Sequence, residues 1–389
     1  MEQTWRWFGE TDPIPLDHIR QAGATGIVTA LHHVPTGDVW TPQEIARRKD
    51  VVEASGLRWS VCESIPVPDA IKLGGAGARR PIDAWKDSLA NLGQAGIPVV
   101  CYNFMPVVDW TRTDLAYKLP PGGLALRFDI VDFIGYDAFV LKRTDAFDDY
   151  EPALVETARA RIAAKSEDEI ARLERNIIAG LPGGAEAQTR KSIGEKIARF
   201  KGLSDDEMRD NLTTFLRDVM PVAEDVGVRL AIHPDDPPRS LFGLPRVVST
   251  AADARRILSA VKSEANGLTF CVGSYGSRED NDLVAMASEF SRRIHFAHLR
   301  NVTLQEHGSF YEAEHLDGGA DMVALIDILM KEERAAQAEG RRAEIPMRPD
   351  HGHLLADDAG KRTNPGYSYI GRLKGLAELR GVMRALSRA

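Results

Sequence analysis

Short apolar runs alternate along the chain with longer segments in which apolar residues return every three or four positions. Eight runs stand out: Thr4–Phe8, Gly26–Ala30, Leu57–Cys62, Pro98–Asn103, Val228–Ile232, Leu268–Cys271, Ile294–His298 and Ile345–Arg348. Several are apolar on both alternating faces, Ile97-Pro-Val-Val-Cys-Tyr102 and Val228-Arg-Leu-Ala-Ile232 among them. A strand covered on both sides by helices reads this way. The segments between carry helix start and stop signals. Thr41-Pro-Gln-Glu44 is a capping box with proline at the first helical position, and the helix it opens stops at Gly56. Ser204-Asp-Asp-Glu207 opens a helix whose stripe of Met208, Leu212, Phe215, Leu216, Val219, Ala223 and Val226 ends at Gly227. Further helices are expected over Asp83–Gln94, Ala252–Glu264, Asp282–Arg292, Asp321–Lys331 and Ile370–Leu386. Eight strands alternating with helices predict a single (β/α)8 TIM barrel over residues 1–389.

One segment breaks the rhythm. Roughly 120 residues separate the fourth and fifth runs, where a crossover usually takes far fewer. Within this insertion, residues 105–225, the stretch Val107–Tyr150 has no clear period. Pro152–Ile178 reads as helix, with a capping box at Ser166-Glu-Asp-Glu169, and Leu181-Pro-Gly-Gly184 breaks it. A long helical insertion on the catalytic side of a barrel is either a surface decoration or a lid or oligomer contact, and the chain is expected to form a homo-oligomer.

Charge narrows the partners. Lys+Arg number 49 against 57 Asp+Glu, a net charge of −8, and no basic concentration is able to track phosphates, so no nucleic acid is expected. No apolar run approaches the ~20 residues of a membrane helix. The three cysteines (Cys62, Cys101, Cys271) build no disulfide framework, and no secretory signal opens the chain, so it is expected in the cytoplasm with a small-molecule substrate.

In a barrel, function gathers where strands end and βα loops begin. Of the ten histidines, His32, His33, His233, His298, His307, His315, His351 and His353 fall at or just beyond predicted strand ends; only His18 and His295 do not. The last four strands end in His233, Cys271, His298 and Asp350. If the barrel closes, these form an arc of imidazole, thiolate and carboxylate around its mouth, a donor set for a divalent transition ion. His351, beside Asp350, is placed to carry a proton. Tyr367 lies in the loop entering the last helix. Arg300, Asn301 and Asn103, just past strand ends, are candidate binders of substrate carboxylate or hydroxyls. Gly74-Gly-Ala-Gly-Ala78 lacks dinucleotide spacing and reads as a loop.

Trp5-Arg-Trp-Phe-Gly9, Cys101-Tyr-Asn-Phe-Met-Pro106, Asp109-Trp-Thr-Arg-Thr113, Ala231-Ile-His-Pro-Asp-Asp-Pro-Pro238, His298-Leu-Arg-Asn301, Met347-Arg-Pro-Asp-His-Gly352 and Pro365-Gly-Tyr367 together resemble bacterial D-mannonate dehydratases, in order and across nearly the whole chain. The resemblance implies a xylose-isomerase-like barrel that uses Mn2+ or Fe2+ to dehydrate D-mannonate to 2-keto-3-deoxy-D-gluconate in hexuronate breakdown. It implies His233, Cys271, His298 and Asp350 as metal ligands, and His351 with Tyr367 as the acid/base pair, Tyr369 being the lesser alternative to Tyr367. Donor chemistry alone would have favoured zinc. The alternatives are another divalent-metal sugar or sugar-acid isomerase or lyase on the same barrel, and a non-catalytic sugar-binding barrel. An enolase-type dehydratase fits less well, since its strands would end in carboxylates where this chain has histidine and cysteine.

Overall fold

Each of the eight apolar runs becomes a strand. The computed structural model describes residues 1–179, 189–342 and 344–388. Its strands in chain order are β1 (Glu2–Arg6), β2 (Gly26–Thr29), β3 (Arg58–Glu63), β4 (Val99–Tyr102), β5 (Asp114–Lys118), β6 (Leu124–Phe128), β7 (Arg229–Ile232), β8 (Asn266–Cys271), β9 (Ile294–His298), β10 (Val302–Leu304), β11 (Phe310–Glu312) and β12 (Pro346–Arg348). Eight of them form a closed parallel barrel in the order β1-β12-β9-β8-β7-β4-β3-β2. Closure comes from pairing the first strand with the last, Glu2 opposite Pro346 and Gln3 opposite Met347. The predicted (β/α)8 barrel is therefore present.

The two-residue period of a strand explains why these runs are apolar throughout. In β4, Val99 and Cys101 point to the barrel axis, where they meet Val28, Val61, Ala231 and Phe296. Val100 and Tyr102 point outward into the larger core beneath the helices. There Trp85, Tyr102 and Phe215 meet edge to face, with centroids 5.0–6.0 Å apart. Phe215 sits on the predicted stripe of the helix Asp205–Asp225, whose Ser204–Glu207 capping box is complete in both directions.

The inserted segment differs from its expected form in two ways. Pro152–Ile178 is two helices, Pro152–Ala163 and Glu167–Ile178. Ser166 caps the second, its hydroxyl accepting from the Glu169 amide, and an N-cap residue takes extended backbone that no helix can continue through. The stretch without period contains β5 and β6, which join β10 and β11 in a small antiparallel sheet of order β10-β11-β6-β5. This sheet packs over a separate apolar cluster that includes Phe128, Phe133, Leu173, Ile177, Phe242 and Phe310. The Leu181–Gly184 breaker lies outside the described residues. Gly74 to Ala78 forms a helix end and a single tight turn. No described helix is long and apolar enough to cross a membrane.

Candidate active site

The closed barrel brings the four strand-end donors to one side of its mouth. His298 Nδ1 lies 3.1 Å from His233 Nε2 and 3.7 Å from Asp350 Oδ2, and Cys271 Sγ lies 4.0 Å from the same carboxylate oxygen. The donor atoms of His233, Cys271 and His298 are all within 4.8 Å of one another, the group of described residues able to hold a metal ion. Asp350 approaches two of the three. Ligands on a common ion, each about 2.0–2.3 Å from it, stand about 3–4 Å apart, the range of the His233–His298, His298–Asp350 and Cys271–Asp350 separations. His233 Nδ1 donates to the Pro234 carbonyl at 2.7 Å, which turns Nε2 toward the other donors.

The electrostatics suit ligation. Burial opposes ionisation of the Cys271 thiol, yet the Arg300 guanidinium and His233 hold it well below the usual thiol range. Burial works against charge on His233 too, but the Cys271 thiolate and the carboxylates around it carry its pKa up to about 9, so an ion bound there would displace a proton from Nε2. Asp350 is held far below the ordinary carboxylate range: Arg348, His351, His298 and Arg300 outweigh its burial. Its backbone sits at φ 65°, a left-handed conformation that costs an aspartate on the order of 1 kcal/mol and turns the carboxylate toward the neighbouring donors.

Behind the donors lies a lattice of buried charges. Arg300 donates to Asp350 (2.8 Å), Glu312 (2.8 Å), Asp236 and Ser274. Arg112, from the inserted segment, bridges Asp236 (2.7 Å) and Glu312 (2.8 Å). Arg348 pairs with Asp350 (2.7 Å) and Glu63 (3.0 Å), and Arg6 also reaches Glu63 (3.2 Å). Alternating signs let each ion offset the desolvation of the next, and removal of one partner from such a pair costs about 3–5 kcal/mol.

A small cavity opens in front of this lattice, lined by Asn103, Trp110, His233, Arg348, His351 and Tyr367 among others. The His351 and Tyr367 rings meet edge to face at 5.1 Å, and Trp110 meets His351 at 6.0 Å. Burial pushes the Tyr367 phenol up to about 12, with the Arg348 guanidinium beside its hydroxyl opposing the rise. The loops carrying the two residues run side by side, the Gly352 amide donating to Gly366 O at 2.8 Å. A Cβ at Gly352 would stand 2.4 Å from the Arg372 amide nitrogen and the Gly371 carbonyl carbon. Gly352→Ala is accordingly expected to cost about 1–3 kcal/mol in denaturant unfolding, because backbone rather than a flexible side chain must give way.

The remaining candidates separate. Asn103 lines the cavity. Arg300 lies behind it, its donors committed to three carboxylates and a hydroxyl. Asn301 braces its own loop, donating to His315 O and Ala320 O and accepting from the Val302 and Ala320 amides. The Tyr369 hydroxyl donates to His18 O, next to Trp5 and away from the cavity. Of the strand-end histidines, His315 and His353 hold the Pro349 and Glu312 carbonyls, while burial pushes His32 down to about 3. His33 pairs with Glu44 and His307 is exposed. Sequence reasoning missed Glu63, Arg348, Asp236, Arg112 and Glu312. The strand-end rule, applied to β3 and β12 as it was to β8 and β9, would have found Glu63 and Arg348. Arg112 and Glu312 lie in stretches without period and gave no such signal.

Comparison with known proteins decides between the barrel enzymes still open. A family profile described as D-mannonate dehydratase (UxuA) matches residues 1–389. The chain belongs to the D-mannonate dehydratase family. "Mannonate dehydratase 2" of Agrobacterium fabrum is 63% identical over 388 residues, covering 100% of this chain and 98% of that protein. The crystal structure of mannonate dehydratase from Streptococcus suis serotype 2 superposes with a TM-score of 0.79 at 35% identity, covering 100% of this chain and 94% of that one. A xylose isomerase-like TIM barrel protein from Mycobacterium smegmatis, at 13% identity and a TM-score of 0.51 over 98% of this chain and 97% of its own, shares the fold alone.

Proposed function

We propose that this enzyme dehydrates D-mannonate to 2-keto-3-deoxy-D-gluconate and water, in cytoplasmic hexuronate breakdown, with Mn2+ or Fe2+ as its metal. The observation that carries the reading is the gathering of His233, Cys271, His298 and Asp350 at one side of the barrel mouth, with His233 and Asp350 sharing a cavity with His351 and Tyr367, in a chain of this family. The four donors would hold the ion, and a divalent cation there supplies stabilisation of the negative charge that grows on the substrate carboxylate as the C2 proton leaves.

The side chains divide the proton work by their chemistry. His351 is the base: Nδ1 donates to the Glu312 carboxylate, so Nε2 is the nitrogen that remains to take the C2 proton. Tyr367, protonated at neutral pH with its pKa near 12, is the acid. It gives its hydroxyl proton to the departing C3 oxygen, so that the C2–H and C3–O bonds break and water leaves. The enol that results tautomerises to the 2-keto acid. Asn103 binds a substrate hydroxyl, and Arg348, the cation lining the cavity, binds the substrate alongside it. We place Arg300 and Asn301 behind these, Arg300 holding Asp350 and Asn301 shaping the loop. The inserted segment serves as a wall of the site, contributing Trp110 to its lining and Arg112 to the charges behind it.

The test is a panel of aldonates and aldoses assayed with the metal-reconstituted protein. Keto-acid formation from D-mannonate with Mn2+ or Fe2+ is expected, abolished by chelation and restored by either ion. Aldose–ketose interconversion without keto acid would replace the reading with that of an isomerase.

A further inference from the structure

The proposed base does not stand alone. Glu312, the last residue of β11, is buried and collects three donors on a single oxygen: Arg112 Nη2 at 2.8 Å, Arg300 Nη1 at 2.8 Å and His351 Nδ1 at 3.0 Å. Its backbone is gripped as well. His353 Nε2, two residues beyond His351, donates to the Glu312 carbonyl at 2.8 Å, and Glu312 pairs with Val302 across the small sheet. One residue outside the barrel wall thus meets both histidines of the Asp350-His-Gly-His353 turn, one through its side chain and one through its main chain.

We infer that Glu312 is the positioning residue for His351, fixing its ring orientation and its tautomer. The argument is one of hydrogen-bond capacity. With two arginines against it, the Glu312 carboxylate is ionised and burial does not prevent this: the Arg300 and Arg112 guanidiniums hold it far below the ordinary glutamate range. An ionised carboxylate only accepts, so the proton on His351 must sit on Nδ1. The two arginines also pin the carboxylate itself, so the ring it orients has little freedom to turn. Nε2, 3.9 Å from Asp350 Oδ1, is then the nitrogen left at the cavity. Glu312 is itself neither one of the donor quartet nor a lining residue of the cavity, and it reaches the cavity through His351. Charge balance for Arg112 and Arg300 alone would be met equally by a carboxylate that did not reach His351.

The inference rests on the reading of His351 as the base, and a double-mutant cycle tells the two apart. Metal-reconstituted wild type, Glu312→Gln, His351→Asn and the double variant are compared for kcat, KM for D-mannonate and metal content. Glu312→Gln is expected to lower kcat about 10–100-fold, with KM and metal content unchanged. In the His351→Asn background the same change is expected to alter kcat by less than about twofold, because a residue that acts through another has nothing left to act on. Losses that multiply in the double variant, or a Glu312→Gln defect confined to metal content or KM, would overturn the inference and leave His351 as the base. Wild-type kcat in His351→Asn would overturn both. If Glu312→Gln does not fold, Glu312→Asp keeps the charge against both arginines while withdrawing it from the ring by one methylene, and the same cycle applies.

Discussion

Cys271→Ser is expected to purify folded, without metal, and with dehydratase activity reduced about 1,000-fold, the scale of losing the main stabilisation of a developing charge. The chemistry of the donor sets this outcome. Arg300 and His233 draw the thiol at the end of β8 toward its thiolate form against the opposition of burial. A serine hydroxyl in the same place keeps its proton and offers a far poorer ligand to a transition ion. The exchange is nearly isosteric and wholly buried, so little strain is introduced and the barrel keeps its shape. Elemental analysis, circular dichroism and the keto-acid assay on one preparation check all three parts. A metal-replete, active variant would remove Cys271 from the ligand set.

The other large effect is at His351. His351→Asn is expected to lower kcat by about 10²–10⁴-fold while metal content and KM remain near those of the wild type, the range for removal of a general base. Asparagine keeps a donor toward Glu312 in the place of Nδ1, so that hydrogen bond survives the change. Loss of turnover should be accompanied by loss of C2 hydrogen exchange with solvent, which isotope incorporation into recovered D-mannonate measures. Undiminished exchange in this variant would move the base to another group.

These expectations began in the sequence, and the physics of the fold explains how far it could carry them. A parallel strand sheathed in helices must be apolar on both faces, so all eight barrel strands announced themselves, and their ends located His233, Cys271, His298 and Asp350. Boundaries drifted by a residue or two because fraying strand ends carry no sharp signal: the first run is read from Thr4, while β1 pairs from Glu2. What stayed hidden was the polar support. Arg112 and Glu312 meet across 200 positions of chain, and no periodicity links residues brought together by a three-residue strand and an irregular loop. The strands β5, β6, β10 and β11 were missed because they carry polar and half-exposed positions and lack the continuous apolar runs of the barrel strands. Arg300 was read from its position as a substrate binder, yet in the structure it faces Asp236, Glu312 and Asp350. Sequence position identifies which loop a side chain occupies; only the assembled charges determine which way it turns.

The pairing of β12 with β1 reaches beyond architecture. The strand that seals the barrel is followed within two residues by Asp350, then by His351 and Tyr367, so the sheet closes and the proposed catalytic groups arrive in the same late stretch of chain. A polypeptide emerging from the ribosome holds an open sheet with two raw edges until that stretch is released, and has no partial chemistry to offer meanwhile. Chains that stop short of this stretch are therefore expected to lack activity and to expose unpaired sheet edges at once.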